Sequence, residues 1–182
     1  MKNIEAKEKR AIGIIKTIQY LITSLGKYTI ECGIIYLNSL LRSSILYAAE
    51  TMYNMKEDEY RHIERIEEDL LRKFFKIERG CPIYMLYFEA GHIPARIAIK
   101  RMKIVFFRYI LTQKENSLLY QFLMAQKKKP TKGDWYSEVI KYMEEFEIIM
   151  SEEDIKKMPE VPFKALVKKQ SIKIAFKYLK EK

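Results

Sequence analysis

Aspartate is scarce in this chain of 182 residues, and no aspartate lies next to another. A two-metal polymerase or nuclease needs clustered carboxylates that hold two cations a few ångströms apart. The aspartates present are isolated from one another along the sequence: Asp58, Asp69, Asp134 and Asp154. We therefore expect no catalytic residues and no enzymatic activity from this chain by itself.

Cysteine and histidine are also scarce, with two of each: Cys32, Cys81, His62 and His92. None of them stands at a CxxC or HxxxC spacing, so the sequence predicts no zinc site and no cofactor. Both cysteines lie among apolar neighbours, which predicts buried free thiols in a reducing compartment. Charged residues come first at the N-terminus, and no signal peptide is recognised there. We therefore expect an intracellular location, cytoplasmic or nuclear.

Glycine, proline and long apolar runs are few as well. Six glycines and five prolines disfavour a turn-rich β-sandwich and a long disordered linker. The most apolar stretch, Ile30 to Ala49, is interrupted by Glu31, Asn38 and Arg42, so no transmembrane span is expected. A hydrophobic content of 48% is sufficient for a sizeable core, as one domain or two small sub-bundles.

Helical periodicity is the main secondary-structure signal. Apolar residues recur at spacings of three, four and seven, and no segment alternates convincingly with period two. Asp134 and Ser151 are predicted to cap helices that start just after them. The pattern predicts an all-α multi-helix bundle of about seven or eight helices, the first three packed antiparallel. The predicted helices lie at residues 4–25, 28–49, 57–76, 94–112, 115–126 and 163–179, and residues 79–94 form an irregular middle.

The net charge of +10 is distributed unevenly. Residues 95–133 carry ten Lys/Arg against Glu115 alone, a local balance of +9, whereas residues 134–150 have a balance of −4. Such segregation predicts a basic face that attracts polyphosphates or acidic lipid. We expect the acidic stretch to face away from a bound strand, because like charges repel.

Cations on the helix at 94–112 recur in a row, since Arg96, Lys100 and Lys103 are separated by four and three residues. Such a row can follow a phosphate backbone, and Phe107 or Tyr109 nearby could stack on a base. The alternative is that these cations only solvate a surface helix. The residues predicted to bind nucleic acid are Arg96, Lys100, Arg101, Lys103, Arg108, Lys127, Lys128, Lys129 and Lys132.

Three segments resemble, in this order, the region after the palm in reverse transcriptases of LINE-type (non-LTR) retrotransposons. They are residues 37–50 (LNSLLRSSILYAAE), 80–111 (GCPIYMLYFEAGHIPARIAIKRMKIVFFRYIL) and 133–150 (GDWYSEVIKYMEEFEIIM). Between the first two, LLRKFFKI at 70–77 resembles the end of a basic helix in that family. The order and spacing of the segments carry the resemblance, and no single motif is diagnostic.

The resemblance implies a thumb-like helical bundle at residues 1–79 and a basic post-thumb helical region at 80–182, as one continuous unit. The family's catalytic aspartates belong to the palm, upstream of these segments, so polymerase activity is not carried over. The resemblance implies non-catalytic binding of RNA or an RNA–DNA hybrid, by a fragment or a free-standing relative of the enzyme. The alternatives are a helical scaffold that docks to a partner such as a polymerase palm, and a peripheral protein of anionic membranes.

Overall fold

The computed structural model describes residues 2–25, 34–78, 80–131 and 133–181 of the chain. These residues contain nine helices, eight of them at least seven residues long, and no strand. The predicted all-α fold of about seven or eight helices is therefore confirmed. The helices are α1 (Lys2–Leu25), α2 (34–45), α3 (Glu57–Phe75), α4 (Ile83–Glu89), α5 (Ala95–Leu111), α6 (Leu118–Lys128), α7 (Trp135–Glu145), α8 (Glu152–Lys157) and α9 (Glu160–Lys180).

Two segments differ from the sequence prediction. The helix predicted at 28–49 ends at residue 45, because Ala48 adopts left-handed backbone (φ 56°) before a 3-10 turn at Ala49–Thr51. Residues 28–33 of that prediction lie outside the described residues. The helix itself contains a π-helical turn, Leu37–Arg42. The second difference is α4, which forms within the middle that was predicted to be irregular.

The chain divides into two compact units. Unit 1 comprises Met1–Tyr47 and Lys56–Ala95, and unit 2 comprises Ala48–Met55 and Arg96–Lys182. The predicted boundary at residue 79 differs from this division. The reason is that α4 packs against α3, which keeps the residues after position 79 in unit 1 up to Ala95.

The core of unit 1 forms where α1 packs against α2 and α3. Ala11, Ile15 and Ile18 lie on one face of α1, and all three are buried. The side chains of Ile4, Leu21, Ile22 and Leu25, near the ends of α1, lie outside the described part of the chain. The described apolar face of α1 is therefore covered within its own unit.

A buried carboxylate, Glu67 on α3, joins several elements of unit 1. Glu67 accepts hydrogen bonds from Arg42 Nε on α2 (2.7 Å) and from the backbone N–H of Ala95 (2.9 Å). Its Oε1 also lies 3.9 Å from Nε2 of the buried His92. Burial raises the pKa of Glu67, and the charge of Arg42 opposes that rise. These contacts give Glu67 and Arg42 a structural role in holding α2 and α3 to the start of α5.

The core of unit 2 is formed by side chains of α5, α7 and α9, and α6 packs against α7. Helix α7 begins as predicted, because Asp134 Oδ1 accepts the backbone N–H of Ser137 at 2.7 Å. The cap of α8 is also confirmed, since Ser151 Oγ accepts the N–H of Asp154 at 3.1 Å. The fully buried core residues of this unit are Ile99, Ile104, Phe107, Val139, Phe146, Ile155, Phe163 and Val167.

Candidate functional site

Lys103 is buried, so the prediction that it belongs to an exposed row of cations is wrong. Its side chain is 0% exposed, and its Nζ donates to Glu138 Oε2 at 2.7 Å. The ammonium also lies 5.5 Å from the ring centroid of Tyr142. Burial lowers the pKa of Lys103, and its hydrogen bond and charge pairing with Glu138 oppose that shift. This lysine contributes to the interior of unit 2.

Lys100 and Arg96, the other members of the row, are also directed toward protein groups. Lys100 Nζ lies 2.6 and 2.7 Å from the two carboxylate oxygens of Glu145 and 5.2 Å from the ring of Tyr142. The guanidinium of Arg96 lies 5.4 Å from the ring of Tyr178 on α9. The predicted row of cations therefore does not form an open binding surface among the described residues, because its members contact groups of α7 and α9.

The acidic stretch 134–150 was predicted to face away from a strand bound at these cations, but it contacts the cations themselves. Its residues Glu138 and Glu145 form the ion pairs with Lys103 and Lys100. Opposite charges placed 35 and 45 residues apart in sequence thus neutralise each other within unit 2. Of the two aromatic residues that were predicted to stack on a base, Phe107 is buried and Tyr109 is exposed.

Arg108 and Arg101 occupy a cleft between α5 and α9 with a volume of about 620 Å³. Arg108 donates from Nε (3.1 Å) and Nη2 (2.6 Å) to the carbonyl oxygen of Met158, and its guanidinium lies 5.9 Å from the ring of Phe163. Arg101 lines the same cleft together with Lys164 and Lys168 of α9. The cleft therefore combines apolar walls with several cations and two acidic residues, Glu50 and Glu160.

The lysines at 127–129, which were predicted to bind nucleic acid, are exposed at the end of α6 and just after it. Lys128 and Lys129 are exposed, and no described ion pair involves either of them. Lys127 is 45% exposed and pairs with Glu152 at 2.7 Å. Lys132 lies outside the described residues.

A basic surface of six exposed lysines lies on α9, which the sequence prediction did not single out. Side chains at every fourth position of α9, from Phe163 to Leu179, are buried and hold the helix against unit 2. The lysines lie on the exposed side of this helix. We call them the lysine face: Lys164, Lys168, Lys169, Lys173, Lys177 and Lys180.

Few acidic groups compete for the lysine face. Lys164 pairs with Glu160 one turn earlier, and this hydrogen bond lowers the pKa of Glu160. Among the described residues, no ion pair involves the other five lysines of the face. Two apolar side chains lie among them, Ile172 (39% exposed) and Phe176 (45% exposed). The face therefore offers ammonium groups that remain available to an external anion.

The sequence contains a signal that could have indicated the lysine face. Residues 161–180 carry six lysines and no acidic residue, but the acids at 152–154 and at Glu160 lower the local balance when 151–182 is counted as one segment. Averaging charge over long segments therefore concealed the face, whereas the four-residue spacing of Lys164 and Lys168, and of Lys169, Lys173 and Lys177, would have indicated it.

No protein-family model matches the chain, and neither do curated proteins or solved structures. Within the described residues, His, Cys, Asp and Glu form no group of three or more that could hold a metal ion. None of the helices in the described part is both long and apolar enough to cross a membrane. Cys81 is a free, half-buried thiol, and Cys32 lies outside the described residues.

Proposed function

We propose that this protein binds RNA or an RNA–DNA hybrid without catalysing a reaction, and that it does so through the lysine face of α9. The observation that carries the proposal is a row of exposed lysines on a helix whose opposite side is buried. Successive lysines four residues apart rise about 6 Å along the helix axis, similar to the distance between neighbouring phosphates on one strand. The α5 cations supply no such surface, because acids of α7 neutralise two of them.

Binding through a lysine face has a characteristic salt dependence. Each neutralised phosphate releases condensed counterions, so affinity falls steeply as salt rises. If about six phosphates are contacted, affinity should fall roughly 10²- to 10³-fold between about 50 and about 200 mM salt. Little sequence preference is expected, because phosphate contacts carry no sequence information.

The test replaces lysines 168, 169, 173 and 177 with glutamine and measures affinity for RNA across a salt series. Each lost contact should reduce the slope of log affinity against log salt by about 0.7–0.9. The matched control removes four exposed cations of unit 1 and therefore gives the same net charge: Arg61, Arg65, Lys73 and Lys76 to glutamine. An equal loss in both variants would mean that net charge alone drives binding, and no binding at low salt would refute the proposal.

Peripheral binding to an anionic membrane is a second candidate, favoured by the exposure of Ile172 and Phe176 within the lysine face. A membrane-surface helix combines lysines with apolar side chains that enter the interface. Two half-exposed apolar side chains are a small apolar area for this purpose, so RNA is the preferred ligand. Flotation with phosphatidylserine vesicles, compared with RNA binding at the same salt concentration, separates the candidates. Ile172→Ser and Phe176→Ser should abolish flotation only if the membrane reading is correct.

A further inference from the structure

A second cavity of unit 2, with a volume of about 530 Å³, has an aromatic lining. Trp135 and Ile110 are buried in its walls, and Phe106 stands edge-on to Trp135 with ring centroids 5.8 Å apart. Two exposed rings also line this cavity: Tyr53 (66% exposed) and Phe122 (56% exposed). Large aromatic side chains are seldom left in water around a cavity without a partner that covers them.

Polar groups among these rings indicate which class of ligand the cavity can bind. Gln126 Oε1 accepts the backbone N–H of Tyr136 (3.1 Å), which orients the amide and leaves its NH₂ group as a donor. The Asn54 side chain provides a second carboxamide in the lining. An aliphatic side chain entering the cavity would leave such groups unpaired if it displaced their water. A planar ring with hydrogen-bonding edges would satisfy both the aromatic faces and the amides.

The charged residues near the cavity indicate which part of a ligand enters it and which part stays outside. No Lys or Arg of the described residues lines the cavity, and Asp134 contributes a carboxylate whose oxygens accept hydrogen bonds from Thr131 and Ser137. The negative charge of the Asp134 carboxylate disfavours a phosphate inside the cavity. The exposed cations Lys128 and Lys129 lie in the segment that joins Gln126 to Thr131, two residues that line the cavity. This arrangement fits a neutral base inside the cavity and its phosphates outside.

We infer that this cavity accepts an unpaired nucleobase, so that the protein prefers single-stranded nucleic acid to a duplex or hybrid. The inference rests on the proposed binding of nucleic acid through the lysine face. Phe106 lines both this cavity and the cleft that contains Lys164 and Lys168, so one strand can contact both. Bases in a duplex are stacked and paired, whereas unpaired bases are free to stack on aromatic side chains.

The single tryptophan of the chain, Trp135, makes the cavity directly observable by fluorescence. The probes are an oligouridine of about ten nucleotides, an abasic oligomer of the same length and charge, and an RNA duplex. Oligouridine should quench Trp135 emission and bind about 10-fold or more tightly than the abasic oligomer. The duplex should bind without quenching.

Variants of the exposed rings provide the second arm of the test. Phe122→Ala and Tyr53→Ala should each weaken oligouridine binding about 10-fold and leave abasic binding unchanged, which also shows that the variants are folded. Tyr84→Ala removes an exposed aromatic of unit 1 that does not line the cavity, and it should have no effect.

The outcomes distinguish this inference from the proposed function. If oligouridine and the abasic oligomer bind alike with unchanged Trp135 emission, the cavity inference is overturned and the lysine face can still stand. If none of the probes binds at low salt, both fail. If Phe122→Ala changes the sedimentation of the free protein instead of its RNA affinity, the cavity contacts another copy of the chain and the inference is also overturned.

Discussion

Helices α5 and α9 of unit 2 carry similar numbers of cations in different surroundings. Helix α5 has five Lys/Arg residues and α9 has six. On α5, Lys103 is buried against Glu138 and Lys100 pairs with Glu145. On α9, all six lysines are exposed, and only Lys164 has a described ion pair. The density of basic residues in a helix therefore does not determine whether it presents charge to a ligand, because the tertiary partners of the helix decide this.

The largest difference in stability is expected between a substitution of Lys103 on α5 and the same substitution of Lys173 on α9. Lys103→Met removes the ammonium and leaves the partly buried Glu138 carboxylate with the backbone N–H of Asn54 (3.0 Å) as its described partner, which should lower the free energy of unfolding by about 3 kcal/mol. Adding Glu138→Gln should restore most of this loss, because the carboxylate charge that lost its lysine is then removed and the amide oxygen can still accept the Asn54 N–H. Lys173→Met should change stability by less than about 0.5 kcal/mol. Denaturant unfolding of the four proteins measures these effects, and equal losses at both lysines would remove the contrast between the helices.

The next effect concerns Lys100, which is less buried than Lys103. Its pair with Glu145 has side chains that are 14% and 35% exposed, so solvent screens part of the attraction. Lys100→Gln should therefore cost about 0.5–1 kcal/mol, including the lost contact with the Tyr142 ring. The matched change on the lysine face, Lys177→Gln, should cost nearly nothing. Chemical denaturation under low and high salt would test this, and a loss at Lys177 as large as that at Lys100 would contradict it.

The smallest effect is a pH dependence due to Lys103. Because burial lowers its folded-state pKa below the ordinary value of 10.5, the unfolded chain binds more protons between those two values. The free energy of unfolding should therefore gain a positive slope with pH in that interval, of at most about 1.4 kcal/mol per pH unit. Subtracting the same measurement on the Lys103→Met, Glu138→Gln double variant isolates this contribution. A difference that falls as pH approaches 10.5 would show that the sign is wrong.

Local patterns were sufficient to predict much of the fold. The helix predicted at 57–76 is observed at Glu57–Phe75, and the one predicted at 163–179 is observed at Glu160–Lys180. The caps at Asp134 and Ser151 were also predicted, because a cap depends on residues only three positions away. The left-handed Ala48 was not predicted, since no glycine marks that position.

The candidate site was predictable only in part. Lys128 and Lys129, which the sequence analysis named as candidate binding residues, are exposed. The burial of Lys103 depends on its ion pair with Glu138, which is 35 residues away in sequence. Helical periodicity carries no information on such pairing. The aromatic cavity brings Tyr53 together with Phe122 and Trp135, which are distant in sequence, so no local motif could indicate it.

The most direct test of the contrast between α5 and α9 is the rate at which each lysine reacts with an acetylating reagent, measured by mass spectrometry with and without RNA. In the free protein, we predict rapid acetylation of Lys168, Lys169, Lys173 and Lys177, and slow acetylation of Lys103. Bound RNA should protect these four lysines and leave the rate at Lys103 unchanged. Acetylation of Lys103 as rapid as that of Lys173, or RNA that binds without protecting any lysine of α9, would contradict the account.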